Sequence, residues 1–160
     1  MSRSRLFCLT SAIALIVSCA AQAQEHNHAK HQPAGAAGDA RIAVIFPKTL
    51  RTHTLANMRD HLLALQEIQD ALASSKFDRA AAIAEERLGM TSLKLHGAQE
   101  VAKYMPDGMQ RIGTEMHHAA SRFSVEATNA GVSGDLKPAL GALASVTRQC
   151  VACHSSYRVQ

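Results

Sequence analysis

Two cysteines and a histidine stand close together near the end of the chain, in Cys150-Val151-Ala152-Cys153-His154. The C-x-x-C-H spacing is that of a c-type haem attachment site. Each thiol can add to a vinyl group of the macrocycle as a thioether, and the adjacent imidazole can ligate the iron. On a helix the three residues fall at i, i+3 and i+4 and share one face. Other readings use the same residue types. A chance cluster needs no ligand at all. A zinc half-site needs further thiolates or a His pair. A redox dithiol needs a βαβ setting, of which the sequence shows no sign.

A second group of ligand-type residues lies near the start. Cleavage after Ala23 would expose Gln24-Glu25-His26 as a free N-terminus. An amine, two deprotonated amides and an imidazole at position three suit square-planar Cu(II) or Ni(II). His28 and His31 follow. The plainer reading is a solvated, flexible tail. The pair His117-His118 is weaker, because neighbours on a helix point about 100° apart and cannot chelate together.

The elements that carry these residues can be read from composition and spacing. Arg3 and Arg5, an apolar run from Leu6 to Ala20 and the Ala21-Gln22-Ala23 site make residues 1–23 an expected export signal. Ile16-Val17-Ser18-Cys19 also resembles a lipoprotein box, which would place a lipid on Cys19. No stretch reaches membrane-spanning length. Export would leave Cys150 and Cys153 as the remaining cysteines. It would also take Lys and Arg from 17 to 15 against 13 acids, about +2 net, too balanced to argue for nucleic acid. Residues 24–40 form a His-rich tail without periodicity, expected to be disordered. Residues 41–160 suit one domain.

Within that domain no run reads clearly as a strand. Ile42, Val44 and Phe46 make a brief apolar lead-in before Pro47. Leu55, Met58, Leu62, Leu65, Gln69 and Leu72 step by three and four, predicting a first helix over Pro47 to Ser74. Ser74-Ser75-Lys76 breaks it, and a second helix runs from Phe77 to Leu88 with Gly89 beyond. A loop with a short helix around Ala98 to Tyr104 follows. Pro106-Asp107-Gly108 opens a third helix, with Met109, Ile112, Met116, Ala120, Phe123 and Ala127 on its apolar face and Gly131 as its stop. Ser133-Gly134-Asp135 caps a fourth helix, along which Leu136, Leu140, Leu143, Thr147, Cys150, His154 and Tyr157 form one stripe. The fold class is all-α, an antiparallel bundle of four helices with its cofactor between facing helices.

A C-x-x-C-H run on the last of four helices, continued as Ser155-Ser156-Tyr157-Arg158, resembles the class II c-type cytochromes, the cytochrome c′ family. That family often ends in C-x-x-C-H-x-x-Y/F-R. The resemblance spans roughly Lys48 to Arg158 and is strongest in the last helix. It implies one covalently bound haem c, with His154 as proximal ligand, Arg158 one turn on beside it, and Phe123 and Tyr157 packed near the ring. Met58-Arg59 is similar to the family pattern in which a methionine followed by a basic residue supplies the distal ligand. His61 is its competitor. Relatives commonly carry Arg where this chain has Thr54; Lys48, Arg51 or Arg59 would then serve a propionate.

This set implies a six-coordinate, low-spin carrier of single electrons between periplasmic redox proteins, not an enzyme. Association as a homodimer through the first two helices is also implied. The alternative is a five-coordinate protein that binds NO or CO, with Met58 left as a packing residue.

Overall fold

The computed structural model describes residues 38–160. The expected export signal over residues 1–23, the lipoprotein reading of Cys19 and the metal-binding reading of His26 lie outside the described residues. The domain is mostly helical. Strand β1 (Ile42–Val44) leads through Pro47 into helix α1 (Lys48–Ala73), and helix α2 (Phe77–Arg87) follows. A 3₁₀ turn (Met90–Leu93) and the short helix α3 (Ala98–Ala102) make the connection to α4 (Asp107–Ser133). Helix α5 (Lys137–Ser156) runs into strand β2 (Tyr157–Val159). Among the described residues no helix is long and apolar enough to cross a membrane.

Helix α1 packs on α2, α2 on α4 and α4 on α5, whereas α1 and α5 are not a closely packed pair. The main core lies between these helices. Ile68, Ile83, Leu88, Phe123 and Val146 fill it, with alanines at many of the closest approaches. Phe123 is fully buried. A second, smaller cluster joins Val44, Phe46, Val101 and Met109.

Several sequence expectations need correction. The lead-in segment is a strand. β1 pairs parallel with β2 in the register Ile42↔Tyr157, Ala43↔Arg158 and Val44↔Val159. Gln160 N–H donates to Val44 O at 2.9 Å and extends the pairing. Three-residue strands so far apart in sequence carry no alternation long enough to recognise. Tyr157 and Arg158 therefore lie beyond α5, with Tyr157 in extended backbone. Asp39, assigned to the tail, belongs to the fold, because its carboxylate pairs with Arg41 and Arg158.

Gly131 does not stop the third helix. It lies inside α4, where a Cβ would stand 3.3 Å from Phe77 Cβ, so its role is close approach to α2. The stop is Gly134, at φ +77, a left-handed conformation that costs glycine little.

The face of α1 also differs. Thr54, Ala64, Ile68, Ala71 and Leu72 are its buried residues. Met58 and Leu62, both members of the apolar stripe, are exposed. At about 100° per residue, Leu55, Met58, Leu62 and Leu65 form a strip centred roughly a quarter-turn or more from the buried face. The alanine-rich buried face is the less hydrophobic of the two, which is why the leucine stripe dominates the pattern.

Candidate functional site

Cys150 and Cys153 carry free thiols on the last turns of α5. Both are half-buried, and they reach different surroundings. Cys150 packs against the main core and its Sγ lies 3.5 Å from Val146 O. Cys153 packs against the second cluster with Tyr157, Met105 and Val159. Burial pushes both thiols up from their ordinary value. His154 is exposed on the flank of α5 that also carries Leu140 and Val151, both exposed.

The end of α5 is tied down from the other end of the domain. Arg41 donates from Nη1 to His154 O at 3.2 Å, satisfying a carbonyl of the last helical turn. Asp39 holds Arg41 in place with an ion pair of 2.6 Å. It stands 3.5 Å from Arg158 Nε as well. The hydrogen bonds from Arg41 bring the Asp39 carboxyl down to about 2. Arg158 is thus directed to Asp39 and stands in β2. Tyr157 reaches back to the start of α4, where its hydroxyl lies against Gly108.

Met58 is 36% exposed and belongs to neither core cluster. Simple core packing therefore does not account for it. Thr54, one turn before it, is buried with its hydroxyl unpartnered. Lys48, Arg51 and Arg59 are exposed.

His61 faces elsewhere. Its Nε2 lies 3.3 Å from His96 Nε2, and the ring centroids are 4.6 Å apart. His117 of α4 completes the group, 5.4 Å from His96 and 6.4 Å from His61 by ring centroids. Ser92 lies between, its Oγ at 3.4 Å from both His96 Nδ1 and His117 Nδ1. His117 Nδ1 donates to Leu88 O at 2.7 Å. From α1, Asn57 Nδ2 donates to His96 O at 3.2 Å, and His53 Nε2 stands 3.1 Å from the same carbonyl. Histidines from three parts of the chain so hold the connection between α2 and α3.

Burial is the main cause that lowers all three. His61 comes down to about 4, with His96 and His117 adding repulsion. His96 and His117 are also lowered. Asp60, next to His61, is held by Arg87, whose guanidinium keeps the carboxyl below its ordinary value. Arg87 also donates to Glu67 at 2.8 Å and so ties α2 to α1.

Sequence reasoning singled out His61 and the His117-His118 pair, and the structure agrees that the pair diverges: His117 is buried and His118 exposed. It missed His96 and Ser92. Their loop carries no periodicity, and only the count of nine histidines in the chain hinted at a cluster. No protein-family model, no characterised protein and no solved structure matches this chain.

Proposed function

We propose that the chain is a periplasmic monohaem c-type cytochrome, an antiparallel four-helix bundle that carries single electrons between redox proteins. His154 and Met58 would hold the haem iron. The observation that carries this reading is the C-x-x-C-H run on the last turns of α5, with two free, half-buried thiols and an outward imidazole. The donor set fits haem c: two thiols for thioethers, one imidazole for iron, and exposed apolar side chains on both α1 and α5. Haem, once attached, supplies a one-electron iron couple.

The chain's own residues do the rest. Cys150 and Cys153 fix the attachment edge against the two apolar clusters. Arg41 holds the backbone of His154 beside the β1–β2 pair, which would steady the imidazole that takes the iron. Met58 offers a thioether, a soft donor that favours ferrous iron and raises the potential relative to a second imidazole. His61 is not its rival in this reading, because its Nε2 is directed to His96.

Absorption spectra of the ferric and ferrous protein, with and without CO, test the proposal. The expected result is a low-spin spectrum with a methionine–iron charge-transfer band, unmoved by CO and lost in Met58→Ala. A high-spin ferric spectrum with immediate CO binding by the ferrous protein would overturn the role of Met58. The protein would then be a five-coordinate binder of NO or CO. Absence of covalent haem in Cys150→Ala and the wild type alike would overturn the haem reading itself.

A further inference from the structure

The imidazoles of His61, His96 and His117 are not among the residues of the C-x-x-C-H run, and hydrogen bonds bear on the tautomers of His117 and His96. Leu88 O can only accept, so His117 carries its proton on Nδ1 and leaves Nε2 a bare lone pair. Ser92 gives its hydroxyl proton to Gly89 O at 2.7 Å, so its oxygen accepts from the ring beside it. That arrangement favours the His96 tautomer with its proton on Nδ1, 3.4 Å from the oxygen. His96 Nε2 is therefore also a lone pair, and it faces His61 Nε2 at 3.3 Å. Two occupants satisfy that line: a proton carried by His61, or a cation bound by both nitrogens.

The spacing fits the cation. Metal–imidazole bonds of about 2.0–2.1 Å set two tetrahedral ligands about 3.3 Å apart. We infer that His61 and His96 form a two-imidazole chelate for a divalent first-row transition ion, zinc by geometry, with further positions open to water or a small anion. Among the described residues no three His, Cys, Asp or Glu side chains already converge as a metal cage, so the chelate itself has two protein ligands. The Nε2 of His117 is a further lone pair in the same cluster, its ring centroid 5.4 Å from His96 and 6.4 Å from His61. Carbonyl and hydroxyl partners on the far ring nitrogens of His117 and His96 are the outer shell that orients ligating imidazoles.

The electrostatics permit it. Burial keeps both rings neutral, the form that ligates, and Asp60 contributes negative charge near them. Arg87 opposes the ion, but its guanidinium is spent on Asp60 and Glu67. Entry needs no net proton release, because His61 need only move its proton from Nε2 to Nδ1.

Zinc is the probe, and the full chain carrying His26→Ala, His28→Ala and His31→Ala is the background, so that the tail does not compete. Zinc-edge X-ray absorption on the purified protein is expected to show two or three imidazoles at about 2.0 Å. Calorimetry is expected to show one site per chain, weakened at least about tenfold in His61→Gln and in His96→Gln, with His118→Gln unchanged. The absorption measurement reads unaltered ligands, so it stands even where a substitution disturbs folding. No retained zinc, sulfur ligands at about 2.3 Å from Cys150 and Cys153, or binding indifferent to both substitutions would overturn the site.

Discussion

Moving the protein from about pH 7.5 to about pH 4 is expected to cost on the order of 3 kcal/mol through His61 alone. The folded chain holds this imidazole at about 4, against 6.5 for a free side chain. Above about pH 6.5 the ring is neutral in both folded and unfolded states and contributes nothing to the pH dependence. Below it the unfolded chain takes a proton that the folded chain refuses, so stability falls. The slope approaches about 1.4 kcal/mol per pH unit until the folded pKa is reached, where it levels off.

His96 and His117 are lowered by the same burial and add in the same direction. Carboxylates act in a different window. Asp60 is depressed, so its contribution is intact above its unfolded value of 3.8 and is lost only as pH falls below that. Equilibrium urea unfolding from about pH 7.5 to about pH 4, on wild type and His61→Gln, separates the effects. The variant keeps a polar side chain of similar reach but has no proton to take, so its profile should be flatter by about 3 kcal/mol over that range. A wild-type profile level from about 6.5 to 4, or two parallel profiles, would refute the buried neutral cluster.

Other expectations follow from single contacts. Gly108→Ala places a methyl against the Tyr157 hydroxyl and should lower stability by about 1 kcal/mol in thermal unfolding, despite alanine's better helix propensity. Adding Tyr157→Phe should restore it, and failure of that rescue would refute the contact. Arg87→Met should cost about 1–3 kcal/mol by leaving Asp60 and Glu67 unpaired between α1 and α2, read by denaturant midpoint. A change within error would mean the bridge is solvent-screened.

The helices were legible because their punctuation is local. Pro47, the Ser74-Ser75 break and Gly89 mark their ends, and the first two helices agree with the structure to within a residue or two. The packing was less legible. In α1 the leucine-rich stripe runs from half-buried Leu55 and Leu65 out to exposed Met58 and Leu62, and the buried face is made of alanines, Ile68, Leu72 and the polar Thr54. Hydrophobic strength ranks Leu above Ala, but the closest helix contacts select size. The grouping of Cys150, Cys153 and His154 on one helix end was legible from spacing alone, since the three lie within five positions. The imidazole cluster was not, because His61, His96 and His117 meet only through tertiary structure. The strands were missed for the same reason, since each makes sense only beside the other.

That strand pair joins Ile42 to Tyr157, so nearly the whole domain forms the loop it closes. Closing a loop of this length before the helices exist would cost several kcal/mol of chain entropy for only a few hydrogen bonds. Helices and their neighbouring contacts, being local, assemble first, and the ends meet once the gap between them has shortened. Substitutions in β1 and β2 should accordingly speed unfolding and leave the folding rate nearly untouched. The strand pair that follows α5, beside Cys153 but outside the core in which Cys150 packs, is in this sense the late-closing seam of a domain whose interior sets early.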